Sequence, residues 1–287
     1  MRTRPVATTR PPLLARLFRQ PPARPGDSYG APGQGSSIAI SAVTVVALLF
    51  LWWLVTALGL IKPLFLPAPE AVARRFVRVM NEGFGGASLL HHTLASLARV
   101  FGAFVLAAVL AIPVGIGMGI NRVLRGVFDP PIEFYRPLPP LAYLPLTIIW
   151  FGIDELQKVV LLFLAMLAPM VLSTRAGVRS VAIEQIHAAY SMGASRAQII
   201  LHVILPAALP EIITGMRIGI GVGWTTLVAA EMVAATAGLG FMVLSAAEFL
   251  VTEVVILGIV MIGAVAYLFD LFLRWMERLL VPWKGKG

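Results

Sequence analysis

The sequence predicts an all-α protein that crosses a membrane six times. Of its 287 residues, 59% are hydrophobic and only 13% are charged, and the mean hydropathy is +0.87. About a quarter of the residues of a soluble protein are charged, so a soluble domain of this composition would expose large apolar patches to water. The hydrophobic residues also fall into runs of about 20, the helix length that crosses a bilayer.

The segment before the first span has a different composition. Residues 1–37 are rich in Pro, Gly and Ser and carry six arginines against one acid, Asp27. Such a segment cannot bury enough apolar surface to order itself, so it is predicted to be a disordered cytoplasmic tail. An organelle transit peptide is the alternative, but repeated prolines between residues 5 and 25 interrupt the amphipathic helix that such peptides form.

The first predicted span is residues 38–61, a run of 24 residues without a charge. As a helix it would be about 36 Å long, about twice the apolar length of a signal peptide. Residues 62–86 follow as a predicted periplasmic amphipathic helix on the membrane surface, with Pro69 suited to its first turn. Val72 and Val79 fall on its apolar face and the arginines on the other.

The remaining spans are predicted within a membrane core, residues 87–277, that precedes a cytoplasmic tail, residues 278–287. The third span is short and broken by prolines, which survive inside a span only where neighbouring groups satisfy the freed carbonyls. Residues 174–208 form a 35-residue amphipathic loop between two of the spans. The five predicted spans of the core are residues 97–120, 138–151, 156–173, 210–235 and 254–275.

The positive charge indicates orientation. The net charge is +9, which could suggest nucleic-acid binding, but the Lys and Arg residues flank hydrophobic runs. With the N-terminus inside, 17 of the 23 Lys and Arg residues lie on the cytoplasmic side, as the positive-inside rule requires. Both termini and the loop 174–208 are therefore predicted to be cytoplasmic.

The sequence lacks the common catalytic motifs. It has no cysteine, no H-E-x-x-H pair of histidines and no phosphate-binding G-x-x-x-x-G-K-[ST]. No catalytic, cofactor or metal residue is predicted, so the chain is not expected to be an enzyme. Gly215, Gly219 and Gly223 are four residues apart, a spacing that favours close helix packing; a substrate-facing wall is the alternative.

The loop 174–208 carries the most specific motif. Ala188 and Ala189 are followed by Gly193, which suits a tight turn with positive φ, and then by Leu205 and Pro206. Pro206 is expected to separate this element from the next span. The pattern resembles the loop by which ABC importer permeases contact their ATPase. The resemblance implies that coupling involves Glu184, His187, Ala188, Ala189, Gly193, Ala194, Ser195, Leu205 and Pro206; the family usually has an acid where His187 stands, and Glu184 is the candidate substitute.

The resemblance extends over residues 65–285. Residues 137–146, 150–153, 221–231 and 238–243 are similar to the nitrate, sulfonate, bicarbonate and taurine branch of these permeases. It implies a type I ABC importer permease fold in the bacterial inner membrane. It also implies a second permease copy, two ATPase subunits that bind ATP and Mg, a periplasmic substrate-binding protein, and taurine as cargo. A permease for other sulfonates, nitrate or bicarbonate and a proton-coupled secondary transporter are the alternatives.

Ionisable side chains inside spans are candidates for the transport path or gate, because they are costly in lipid. Glu231 is expected near the outer mouth, where an ion pair with an outer cation such as Arg99 is preferred to substrate contact. Arg217 is expected to brace the loop 174–208, and Asp270 to pair with Arg274 at i+4. Three polar or aromatic residues near mid-membrane complete the candidate path: Trp224, Thr225 and Thr226.

Overall fold

The computed structural model describes residues 38–282, and all regular secondary structure within that range is helical. The predicted tail 1–37 and residues 283–287 of the predicted C-terminal tail lie outside the described residues. The helices are α1 Ile38–Ala57, α2 Pro69–Glu82, α3 Leu89–Ile120, α4 Arg122–Tyr135, α5 Leu144–Phe151, α6 Glu155–Arg179, α7 Ile183–Ser191, α8 Arg196–Ile199, α9 Leu205–Ala234, α10 Leu239–Glu248 and α11 Thr252–Leu280.

Helix α1 belongs to a separate compact unit that ends at Pro69. Most of its apolar side chains are exposed, as expected of a helix whose surroundings are lipid. The helix ends at Ala57, before the predicted boundary at residue 61. The indole N–H of Trp52 donates a hydrogen bond to the carbonyl of Pro67 at 3.1 Å, which holds the following turn against the end of the helix.

Five helices in the described part of the chain are long and apolar enough to cross a membrane, instead of six. They lie at residues 40–57, 89–120, 155–179, 196–233 and 252–280. The predicted third span, 138–151, is a 3₁₀ turn at Pro140–Ala142 followed by the eight-residue helix α5. Such a helix is only about 12 Å long. Prolines at 137, 139, 140 and 145 explain the difference, because each lacks the N–H that a continuous helix needs.

Helices α3, α6 and α9 form the centre of the second unit. Near one end of α3, Arg99 binds Glu155, the first residue of α6; near the other, Gly119 packs on Val178. Helices α3 and α6 are therefore parallel. Helix α9 is antiparallel to α6 and packs on it through Gly215, Gly219 and Gly223, which confirms the predicted packing role of these glycines. A Cβ on Gly215 would lie 2.4 Å from the Cβ of Ser173, so the two backbones approach closely only because the residue is glycine.

The connection between α3 and α6 runs back along α6. Asp129 in α4 forms an ion pair with Arg175 near one end of α6, and Thr147 in α5 accepts a hydrogen bond from Gln157 near the other, at 2.9 Å. Arg175 follows Gln157 by 18 positions, which correspond to about 27 Å of helix. Two short helices joined by a turn thus cover the distance that parallel packing of α3 and α6 requires.

The bundle has two chemically distinct ends. The charged end holds Arg99, Glu155 and Glu231, and the loop end holds α7 and α8. Helix α11 packs on α10, where Gly258 meets Val243, and pairs with α9 through Arg217 and Asp270. It extends to Leu280, so the predicted C-terminal tail begins within the helix.

Candidate functional site

The loop end contains the motif that the sequence singled out. Helix α7 ends at Ser191, and Gly193 follows with φ +82°, which confirms the predicted turn with positive φ. The Gly193 N–H donates to the carbonyl of Tyr190 at 2.9 Å, and the Ala194 N–H to that of Ala189 at 3.1 Å. These bonds satisfy carbonyls at the end of the helix that have no partner within it.

Ser195 begins the next helical segment. Its hydroxyl accepts a hydrogen bond from the N–H of Gln198, whose side chain accepts from the Ser195 N–H. This reciprocal capping box satisfies two N–H groups that a helix start leaves unpaired. The Ser195 hydroxyl therefore caps the N-terminus of α8.

Pro206 does not separate the loop from the following span, contrary to the prediction. Helix α8, a π-helical turn at Ile200–Ile204 and α9 follow one another as one apolar helix over residues 196–233. Pro206 lies at the beginning of α9, directly after the π-helical turn, where the regular hydrogen-bond pattern of the helix is already interrupted. Leu205 and Pro206 thus join the loop directly to α9.

The two small residues of the motif face different surroundings. Ala189 is 6% exposed and packs in an apolar cluster with Val178 of α6 and Ala208 and Ile212 of α9. Ala188 is exposed and lines an open groove of about 630 Å³. Ala189 also lines this groove, but because adjacent positions on a helix point about 100° apart, it is mostly buried, and of the two alanines only Ala188 is exposed there. The groove is also lined by Gln185, Met192, His202, Val203, Pro206, Ala207 and Pro210.

Polar groups on the exposed side of α7 complete this surface. Glu184 lies in the first turn of the helix, and His187 lies one turn further on. Both side chains are exposed, and so are Met192 and Gly193. The loop end therefore combines an anchored inner face with an outer face that no other described residue covers.

Glu231 lies at the charged end in a fully buried position. Its carboxylate accepts hydrogen bonds from the Ser96 hydroxyl at 2.8 Å, from Arg99 Nη1 at 2.6 Å and from the Gly240 N–H at 2.8 Å. A buried carboxylate is tolerated only when its oxygens are paired in this way. The predicted pair between Glu231 and Arg99 is confirmed.

Arg99 links four segments. Besides Glu231 in α9, its guanidinium binds Glu155 in α6 at 2.6 and 2.8 Å and the carbonyl of Ala237 at 2.6 Å. Lys158 adds a second cation to Glu155 at 2.8 Å. We call Ser96, Arg99, Glu155, Lys158 and Glu231 the charged cluster; two cations balance two carboxylates. Glu155 and Lys158 were missed because they stand at the beginning of a span, where a charge is unremarkable.

Gly238 and His92 fit closely against the charged cluster. Gly238 has φ +136°, and a Cβ there would lie 2.4 Å from the carboxylate of Glu231. Its N–H donates to His92 Nδ1 at 3.1 Å, so the other ring nitrogen, Nε2, carries the proton and donates to the Phe84 carbonyl at 2.9 Å. His92 therefore joins α3 to the turn that precedes it and to the turn between α9 and α10.

The remaining candidate path residues do not form one surface. Trp224 and Thr226 are buried, and Thr225 is exposed. Both threonine hydroxyls donate to the carbonyl of Val222 within α9, at 2.8 and 2.9 Å. Of these three residues, only Thr225 faces the open side of the helix, where its hydroxyl oxygen can still accept.

Arg217 pairs with α11. Its Nε is 2.9 Å from Asp270 and its Nη1 is 3.6 Å from Glu277. Arg217 was expected to brace the loop 174–208, but this expectation is wrong: the side chain pairs with α11, because this side of α9 is turned towards that helix. Asp270 also binds Arg274 at 2.7 Å, which confirms that predicted pair. Among residues 38–282, no group of three or more His, Cys, Asp or Glu is arranged to hold a metal ion.

The comparisons with known proteins agree with this architecture. The family model described as "Binding-protein-dependent transport system inner membrane component" matches residues 107–283. The taurine transport system permease protein TauC of Escherichia coli (strain K12) is 54% identical over 250 residues, which cover 87% of this chain and 91% of TauC. The putative aliphatic sulfonates transport permease protein SsuC of Bacillus subtilis (strain 168) is 34% identical, over 82% of this chain and 84% of SsuC.

Similarity to solved structures concerns the fold. A chain of the MetNI methionine ABC transporter in an inward-facing conformation superposes with a TM-score of 0.58 and 21% identity, covering 67% of this chain and 95% of that one.

A third sequence relative is the bicarbonate transport system permease protein CmpB of Synechococcus elongatus, which is 31% identical over 93% of this chain and 98% of CmpB. This chain is a multi-pass membrane protein that belongs to the family of binding-protein-dependent transport system inner membrane components.

Proposed function

We propose that this chain is the permease subunit of an ATP-driven importer that carries taurine across the bacterial inner membrane. The observation that carries the proposal is the extensive identity to the E. coli taurine permease, which covers the charged end and the loop end alike. The chain has no phosphate-binding motif, so ATP and Mg bind in a separate ATPase subunit. The permease itself catalyses no reaction.

The proposed orientation places the loop end in the cytoplasm and the charged end in the periplasm. The excess of Lys and Arg in the segments assigned to the inside supports it. Helices α4 and α5, which run back along α6 in two pieces, then complete a sixth, interrupted crossing. Both termini lie in the cytoplasm in this arrangement.

The proposed assembly contains two permease copies, two ATPase subunits and a periplasmic substrate-binding protein. The groove beside Ala188 is the docking site for the ATPase, because it is open, apolar at its base and flanked by the exposed Glu184 and His187. An exposed stripe on α9 that includes Ile218, Gly221 and Thr225 provides a face for the second permease copy.

Alternating access follows from the way the two ends are joined. The ATPase moves α7, whose buried Ala189 packs directly on α9. Helix α9 is about 45 Å long, and Glu231 near its far end is bonded to Arg99 of α3 and to the first turn of α10. Movement at the loop end is thereby transmitted to the charged end, where the periplasmic gate opens or closes.

A second candidate function is import of another small anion. The similarity to SsuC and CmpB favours an aliphatic sulfonate or bicarbonate as the next candidates, and nitrate belongs to the same group of cargoes. A proton-coupled secondary transporter is the candidate from a different class.

The test is uptake by the reconstituted complex. The permease is purified together with its ATPase and placed in proteoliposomes, and the binding protein and radiolabelled taurine are added on the side that carries the charged end. We expect uptake that requires ATP on the other side and is unaffected by a proton gradient. Uptake driven by a proton gradient without ATP would refute the ATP-driven function; ATP-dependent uptake of ethanesulfonate or bicarbonate, but not taurine, would refute the cargo.

A further inference from the structure

A cavity of about 330 Å³ lies halfway along the bundle, away from both the charged end and the loop end. Its walls are the middle of α6, the middle of α9 and the turn that joins α4 to α5. The volume is at the lower end of the range for sites that bind small molecules, about 300 to 1,000 Å³. None of the residues singled out from the sequence as path candidates lines it.

The Tyr135 hydroxyl is a hydrogen-bonding group without a normal partner at this cavity. The oxygen is buried and approaches the backbone of Ala168, but it makes no hydrogen bond of ordinary geometry with a described residue. A buried hydroxyl without a partner is unfavourable, so a bound polar molecule would relieve that cost. Tyr143 lies on the same wall.

Pro169 leaves a backbone acceptor free on the α6 wall of the cavity. It lies inside α6 and has no N–H, so it cannot bond to the carbonyl of Ala165 one turn earlier. Ala165 and Pro169 both line the cavity. The carbonyl oxygen of Ala165 therefore has unused capacity for a donor such as an ammonium group.

Arg136 places a positive charge at the cavity wall. Its guanidinium is about half exposed, and its described partner, the exposed Glu133, is 3.4 Å away on the same turn. Exposed pairs of this kind are weak, so the guanidinium can bind an anion. Leu164 and Leu172 form an apolar surface beside it, which suits a short hydrocarbon chain.

We propose that this cavity binds the cargo in transit, a small zwitterion with a sulfonate at one end and an ammonium group at the other. Arg136 and Tyr135 donate hydrogen bonds to the sulfonate, and the Ala165 carbonyl accepts one from the ammonium group. This inference rests on the proposed function and adds to it a binding site within the permease itself.

The test uses the absence of native cysteines from the chain. Ser173→Cys introduces a thiol into the cavity wall, and Ala176→Cys places one on an exposed position of the same helix, outside the cavity. The rate at which 2-sulfonatoethyl methanethiosulfonate modifies each permease thiol is measured in the reconstituted complex, with and without millimolar taurine. Leu138→Cys, on another wall, repeats the measurement if Ser173→Cys does not assemble.

We expect taurine to slow modification at position 173 at least fivefold and to leave position 176 unchanged. Tyr135→Phe and Arg136→Gln should each abolish this protection, whereas Tyr267→Phe and Arg122→Gln, at exposed positions outside the cavity, should preserve it. Equal modification rates with and without taurine, in a complex that still imports taurine, would overturn the site. Failure of the wild-type complex to import taurine would instead overturn the proposed function.

Discussion

Glu231 and Arg99 form a salt bridge of 2.6 Å in which the glutamate side chain is fully buried and the arginine side chain is 6% exposed. The two residues lie on α9 and α3, and the bridge continues through Arg99 to Glu155 on α6. Three helices are thus held together at the charged end by ionised groups that neutralise one another. The charged cluster therefore stabilises the closed packing of this end.

Glu231→Ala should destabilise the protein strongly. The substitution leaves Arg99 with a buried charge that only Glu155 compensates, and breaking a buried pair costs about 3 to 5 kcal/mol. Thermal unfolding of the detergent-solubilised protein measures the effect. Glu248→Gln, at an exposed position of α10, is the control and should leave the unfolding midpoint unchanged. A wild-type midpoint for Glu231→Ala would contradict the stabilising role of the charged cluster.

Gly238→Ala should disturb the same cluster from the backbone side. Its φ is unfavourable for any other residue, and the added Cβ would meet the Glu231 carboxylate, so we expect a loss of about 1 to 3 kcal/mol. Gly263→Ala serves as the matched control because that position has open space around it. If both substitutions lower the unfolding midpoint equally, close contact with Glu231 is not the reason that residue 238 is glycine.

Gly215→Ala should be destabilising and should be rescued by a change on α6. The new methyl group would meet the Cβ of Ser173, and overpacking of this kind costs about 1 to 3 kcal/mol. Ser173→Gly removes that Cβ, so the double variant should recover most of the lost stability. Gly102→Ala, at an exposed position of α3 where a Cβ meets nothing within 4 Å, is the control and should not lower the unfolding midpoint. Absence of rescue would contradict the close packing of α6 on α9.

Ala188→Leu should uncouple ATP hydrolysis from import without harming the fold. The side chain would project into the groove that we assign to the ATPase, whereas Ala197→Leu adds the same group at an exposed position outside it. We expect at least a tenfold loss of taurine uptake for the first variant and near wild-type uptake for the second. Wild-type uptake by Ala188→Leu would contradict the docking site.

Much of the fold follows from local sequence features. The long apolar runs give the five continuous spans, and the glycines at 215, 219 and 223 give the contact of α9 with α6, because these features depend on composition and spacing alone. The third crossing could not be predicted in its actual form. Its interruption depends on how four prolines are accommodated beside α6, which is a tertiary effect.

The candidate site was predictable only in part. The pair of Glu231 with Arg99 could be foreseen, since a carboxylate in a span needs a cation. The roles of His92 and Ser96 could not, because both depend on where Gly238 to Gly240 fold back onto α3. The different burial of Ala188 and Ala189 depends on how α7 lies against α9, and the cavity depends on the turn between α4 and α5.

ATP-driven uptake of taurine by proteoliposomes tests the central claim most directly. Vesicles with the permease, its ATPase and the binding protein should accumulate labelled taurine when ATP is present on the side of the loop end. Vesicles that lack ATP, or that carry Ala188→Leu, should accumulate at least tenfold less. Equal accumulation with and without ATP would contradict the claim that this permease converts movement of its loop end into transport.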